Sequence, residues 1–364
     1  MTLTLELPKW YDLHTHFRQD ELLPATVKEH MAMACAGALA MPNLKPPLTQ
    51  PEHIKAYRQE ILDTAEGAFQ DVIVPLYLNA ETTAKTIEDG ARDGILQACK
   101  YYPPHGTTGS EFGAPFQTYI DNGVFEAMEA TGVVLCVHGE EHGLSGERYF
   151  ARGENAEEIF YREHMPSLIE RFPALRVVGE HLTTKVGVDF ILKAPEHVKA
   201  SVTPQHLLYT IGHLIQGLKY HLFCMPVVKF EEDRTALQQA VTSPDNTKFF
   251  AGTDSAPHTH KTTPCGCAAG CFTGGIAPQL YAQGFEAAGV DLSSDTGKQA
   301  FQNFLCEIGR AFYALPEPES TFRLRRSPQT VEPLHIGEEK IIPLPLGIGR
   351  GDGESSTTIP WSLL

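Results

Sequence analysis

The segment Tyr11-Asp12-Leu13-His14-Thr15-His16-Phe17-Arg18 carries two imidazoles one residue apart and a guanidinium two residues further on. Along an extended strand, side chains two apart share a face. The spacing therefore predicts that His14 and His16 hold one metal ion through neutral ring nitrogens. Arg18 continues the alternation, where a guanidinium would dock an anionic group beside that metal. The bland alternative, two solvated histidines near an N-terminus, is weakened by the residues downstream. Asn43, Lys100, His138, His181 and Asp254 each lie at the end of a short apolar run, and His258 follows Asp254. Four histidines, one aspartate and one lysine exceed the roughly four ligands that one zinc takes. Two metals about 3.5–4 Å apart could share them and polarise a substrate oxygen. Lys100 is the odd member, since an ammonium repels dications. It fits as a neutral amine that has reacted with CO2, giving an anionic carbamate bridge. Its ordinary reading is a lysine whose stem lies on apolar surface.

Elements must bring these residues together. Strands are expected at 10–16, 37–41, 71–78, 95–101, 133–137, 175–179, 197–202 and 248–251. Helical stretches fall between them at 24–33, 51–65, 82–92, 116–130, 156–170 and 184–193, with a further helix that includes 236–242. Such alternation implies parallel strands joined by crossover helices. Eight units point to an α/β fold of the closed (β/α)8 TIM-barrel kind. The rival, an open doubly wound sheet, lacks its Gly-x-Gly-x-x-Gly turn after the first strand. In a barrel the C-terminal strand ends meet at one mouth. His14 and His16 end the first strand, Asn43 the second, Lys100 the fourth, His138 the fifth, His181 the sixth and Asp254 the eighth. The chain reads as one domain, 1–364, with a core of about 7–315 and a Pro- and Gly-rich extension, 316–364, packed outside.

Composition narrows the partners. The 364 residues carry 29 Lys and Arg against 45 Asp and Glu, a formal charge of −16. That balance argues against nucleic acid or an anionic membrane as partner, because both reward basic patches. A small anionic substrate remains compatible, since a metal or one arginine can reverse the local field. No apolar run is long enough to span a bilayer, and no signal-peptide order opens the chain, so a cytoplasmic location is expected. The eight cysteines then read as reduced thiols. Cys265-Gly266-Cys267-Ala268-Ala269-Gly270-Cys271 suggests a zinc knuckle, but no second Cys/His pair at finger spacing accompanies it, so a tightly packed loop is favoured.

Several of these stretches are similar to the motifs of one family. They are Asp12-Leu-His14-Thr-His16-Phe-Arg18, Met41-Pro42-Asn43, Lys100-Tyr-Tyr-Pro103, Val137-His138-Gly-Glu140, Gly179-Glu180-His181 and Gly252-Thr-Asp254-Ser-Ala-Pro-His258. Together they resemble the dihydroorotases of the compact, stand-alone (class II) type within the amidohydrolase superfamily. The resemblance spans Leu7 to about Leu315. It implies reversible zinc-dependent hydrolysis of (S)-dihydroorotate to N-carbamoyl-L-aspartate, which in reverse is the ring-closing step of pyrimidine (UMP) synthesis. It implies two Zn2+ per chain, bridged by N6-carboxylated Lys100 and a hydroxide. His14, His16 and Asp254 would bind the more buried ion, and His138 and His181 the second. Asp254 would also carry the catalytic proton. Arg18, Asn43 and His258 would hold the substrate carboxylate, with His16 and His138 also facing the substrate. The backbone of Met225, and that of Ala268 or Ala269, would contact the ring. Thr107 and Thr108 would ride on a mobile loop that closes over it, between Gly106 and Gly109. A homodimer is implied as well. The rivals are another cyclic-amide hydrolase of the dihydropyrimidinase or hydantoinase kind, a barrel that only scaffolds other enzymes, and a zinc store at Cys265–Cys271.

Overall fold

Runs such as Cys35–Ala40 and Val134–Val137 contain no charge, and every residue in them is buried. A strand covered on both faces belongs in a parallel sheet flanked by helices. The structure, a computed structural model, describes residues 2–264, 266–346 and 358–364. In chain order its first strands are β1 (Thr4–Pro8), β2 (Trp10–Thr15), β3 (Cys35–Ala40), β4 (Asp71–Ile73), β5 (Leu76–Tyr77), β6 (Ala98–Tyr101), β7 (Val134–Val137), β8 (Val177–Gly179), β9 (Val198–Val202) and β10 (Phe249–Ala251). Strands β2, β3 and β4 form one parallel sheet, and β5 to β10 form another in sequence order.

Two features link the sheets. β4 and β5 are parts of one extended stretch split at Val74-Pro75, where proline has no N–H to give to a ladder. At the other edge, the Asp254 N–H donates to the His14 carbonyl (2.8 Å) and the His16 N–H to the Ser255 carbonyl (3.0 Å). The chain beyond the last parallel strand therefore lies along the end of the first. Buried Asp12 reinforces this seam by accepting from the Thr253 N–H (2.9 Å) and hydroxyl (2.6 Å).

Leu13, Leu39, Ile73, Val134, Val178 and Phe250 form one apolar cluster, and Phe312, Tyr313 and Leu315 join it. The other strand faces pack against helices in a larger cluster. Those helices include Leu22–Ala32, Pro51–Thr64, Ala84–Arg92, Ala156–Arg171, Lys185–Lys193 and Glu231–Thr242. The helix expected over 116–130 is two, Phe116–Asp121 and Val124–Thr131. Gly123, at φ 81°, supplies the left-handed break between them.

The N-terminal strand and the tail meet. β1 pairs antiparallel with Thr321–Arg325, which pairs in turn with Ser362–Leu363. Trp361 is fully buried, and its Nε1 donates to Glu286 Oε2 at 3.0 Å. The segment after 315 thus shares a sheet with the chain's start. Cys265, on which the knuckle reading partly rests, and Thr357 of the tail lie outside the described residues. Among the described residues, no helix is long and apolar enough to cross a membrane.

Candidate metal centre and substrate cavity

The two strand-end histidines are oriented from behind. His14 Nδ1 lies 2.7 Å from Glu180 Oε2, and His16 Nδ1 lies 2.9 Å from Asn43 Oδ1. An imidazole that donates through Nδ1 presents a bare Nε2 in front. Both Nε2 atoms face one oxygen, Asp254 Oδ1, at 3.4 Å from His14 and 3.0 Å from His16. His14, His16 and Asp254 offer ligand atoms all within 4.8 Å of one another, and all three are buried.

His138 and His181 complete the cluster. The His181 ring centroid lies 5.0 Å from that of His14 and 4.7 Å from that of His138. His138 Nε2 is held by Glu140 Oε2 at 2.7 Å, which leaves Nδ1 as the ring's bare, lone-pair nitrogen. The buried Nδ1 of His181 has no hydrogen-bond partner among the described residues. Lys100 is fully buried, and its Nζ is likewise without a partner. Orphaned buried donors carry a desolvation cost unless something else meets them. Their placement beside two imidazoles and a carboxylate suits a divalent metal.

The electrostatics of Lys100, His16 and His181 agree. Burial pushes the Lys100 amine down from its usual range, against the opposing pull of Glu180 and Asp254. The neutral amine is the form that reacts with CO2. Burial, with Lys100 and His138 nearby, holds His181 well below an ordinary histidine. Burial and Arg18 lower His16 to about 4. Neutral imidazoles are ligands. Burial alone would raise Asp254, but the His14 and His16 rings against it hold it well below the usual carboxylate range. Burial alone would lower His14, and the Glu180 carboxylate raises it instead.

A small cavity opens onto this cluster. His14, His16, His138, His181 and Asp254 line its metal side. Arg18, Asn43, Thr107, Thr108, Met225 and Ala269 line the rest. Ala268 is not among the lining residues. His258 stands just behind, with its Nε2 3.4 Å from Arg18 Nη2 and 2.8 Å from the Ala269 carbonyl. The Thr107–Thr108 loop is seated over the cavity. Asn43 Nδ2 donates to the Thr108 carbonyl (3.0 Å), and Thr108 Oγ1 donates to the Ala269 carbonyl (3.3 Å).

Arg18 reaches the cavity differently from the expectation. β2 ends at Thr15, and Arg18 sits at φ 63°, so a turn and not strand alternation aims its side chain. His181 (φ 40°) and Asp254 (φ 48°) are also left-handed non-glycine residues. Such conformations persist where surrounding structure enforces them, often at functional sites.

Three contributors escaped the sequence reading. Glu180 orients His14 and also accepts from Ser201 Oγ at 2.5 Å. Glu140 orients His138. Tyr102 lines the cavity with a buried, unpartnered hydroxyl, and its ring centroid lies 5.2 Å from Lys100 Nζ. Tyr102 follows Lys100 by two residues, a spacing that was legible. Glu180 adjoins a candidate ligand, and strand alternation alone would aim only one of that pair inward.

No family model matches the chain. Individual relatives do. The chain is 39% identical over 358 residues to a dihydroorotase of Pseudomonas syringae pv. syringae, covering 95% of this chain and 96% of the relative. It is 37% identical over 372 residues to a dihydroorotase of Nitrosococcus oceani, covering 100% and 99%. Among solved structures, Saccharomyces cerevisiae dihydroorotase in complex with 5-fluoroorotic acid superposes with a TM-score of 0.85 at 26% identity, over 99% of this chain and 98% of that one. A Campylobacter jejuni dihydroorotase gives 0.82 at 26% identity, over 100% and 98%. An L-hydantoinase from Arthrobacter aurescens, at 13% identity and a TM-score of 0.66 over 98% of this chain and 82% of that one, shares the fold. With motifs, cavity and full-length relatives in agreement, the chain belongs to the dihydroorotase family.

Proposed function

We propose that this chain catalyses the reversible hydrolysis of (S)-dihydroorotate to N-carbamoyl-L-aspartate at a binuclear zinc site. One observation carries the reading. A buried lysine amine with no hydrogen-bond partner among the described residues lies close enough to His14, His181 and Asp254 to share their electrostatics, and the cavity those three residues line also carries Arg18 and Asn43. His14, His16 and Asp254 would hold one ion, His138 and His181 the other, and carboxylated Lys100 would join them. Bound there, the two ions supply Lewis acidity toward the scissile carbonyl and lower the pKa of the attacking water.

The chain's own residues do the rest. Asp254 takes the proton that the attacking water loses and delivers it to the ring nitrogen as the C–N bond breaks. Arg18 and Asn43, with His258, receive the substrate carboxylate and fix the ring against Met225 and Ala269. The seated Thr107–Thr108 loop excludes water from the reacting atoms.

The same reading takes β2 to β10 as one closed (β/α)8 barrel, with β4 and β5 as its third strand. It treats 1–364 as one domain, with 316–364 an extension on the exterior. The resemblance to the family adds a homodimer and a cytoplasmic location. Turnover of dihydroorotate against dihydrouracil, which lacks the carboxylate, tests the assignment. Strong preference for dihydroorotate is expected. Equal turnover of both would move the chain to the dihydropyrimidinase class.

A further inference from the structure

Lys261 is a buried lysine outside the metal cluster, 6% exposed. Its ammonium has three protons to donate, and three carbonyls meet it. They belong to Phe223 (2.9 Å), Ala268 (2.6 Å) and Gly270 (2.6 Å). The Lys261 carbonyl in turn accepts from the Ala268 N–H at 2.7 Å, and the Gly270 N–H donates to the Phe223 carbonyl at 2.9 Å. One side chain therefore ties three segments together. The first leads to Met225, the second contains Ala269, and the third begins at His258. Met225 and Ala269 line the cavity, and His258 stands behind them.

The charge itself is informative. Among the described residues, no carboxylate pairs with Lys261 or with Arg18. A buried cation without a counter-ion is costly, and carbonyl dipoles offset only part of that cost. Lys261 and Arg18 are close enough to perturb each other, and both act on His258 between them. An anion arriving at this wall would meet two positive groups, neither of them held in a salt bridge among the described residues, although the Asp254 carboxylate acts on Arg18 from across the cavity.

We infer that Lys261 is a positioning residue for the substrate carboxylate, stapling the Met225, Ala269 and His258 segments into one wall and adding positive charge behind it. This rests on the proposed dihydroorotate reading. Lys261 touches no reacting atom, so its effect falls on substrate binding.

The test measures KM, kcat and metal content of the holoenzyme for wild type, Lys261→Met and Lys261→Arg. Loss of three charge-assisted hydrogen bonds should raise KM for dihydroorotate in Lys261→Met by about tenfold or more, with kcat changed less than about threefold and metal content unchanged. Lys261→Arg, which restores charge and donors, should recover part of that loss. A KM within about twofold of wild type in Lys261→Met, or a kcat loss at unchanged KM, overturns the inference. Should Lys261→Met fail to fold, Lys261→Gln decides by the same criteria, since it keeps two donors without the charge. Absence of dihydroorotate turnover in wild type would strike the functional reading instead.

Discussion

The two walls of the cavity are built in different ways. The metal wall consists of residues at or just beyond the ends of parallel strands, such as His14, His138 and His181, with Glu180 bracing His14 and Glu140 bracing His138. The substrate wall consists of the loop residues Thr107, Thr108, Met225 and Ala269 with His258 behind them, and Thr108 and His258 both hydrogen-bond the Ala269 carbonyl. Rigid strand ends suit ligands, whose geometry must stay fixed within tenths of an ångström. Loops suit a surface that admits a substrate and closes on it. The difference predicts a division of labour. Damage to the first wall should appear in metal content and kcat, and damage to the second in KM.

The largest effect tests the first wall. Asp254→Ala should lower kcat by on the order of 10³-fold or more while far-UV circular dichroism stays as in wild type. Activity within about tenfold of wild type would remove Asp254 from proton transfer. Lys100→Ala comes next. It should lose metal and turnover together, with partial recovery in a short carboxylic acid that replaces the carbamate. Full zinc occupancy and turnover in that variant would exclude a bridging role.

Glu180→Gln probes the brace behind His14. Metal affinity, measured by competition with a chromogenic chelator, should weaken roughly 10- to 100-fold, in line with the loss of such outer partners elsewhere. Unchanged affinity would mean that the 2.7 Å contact to His14 Nδ1 is incidental. The smallest effect lies on the loop wall. Thr108→Val removes the hydroxyl that reaches the Ala269 carbonyl. KM should rise a few-fold, about the value of one neutral hydrogen bond, with metal content unchanged. Loss of metal in this variant would break the division between the walls.

Sequence legibility follows the same line. The eight parallel segments stood out because they are short, mostly apolar and alternate with helical stretches, and all eight expected spans overlap observed strands. His14 and His16 were legible because period-two spacing survives to the end of β2. Beyond a strand end that rule stops applying. Arg18, His181 and Asp254 reach the cavity through left-handed turns, which no periodicity encodes. With His181 at φ 40°, both it and Glu180 face inward, although alternation would allow only one. The pairing of β1 with Thr321–Arg325 joins residues more than three hundred positions apart, and nothing local announces it. Lys261 carries no signal in the sequence, since its contacts are with three carbonyls that only the folded chain assembles.

Metal counted per chain on the same sample used for dihydroorotate hydrolysis, before and after chelation, tests the central claim most directly. The account predicts two zinc ions per chain. It also predicts that turnover vanishes on chelation and returns when zinc and bicarbonate are supplied together. Full turnover by protein stripped of metal would contradict it.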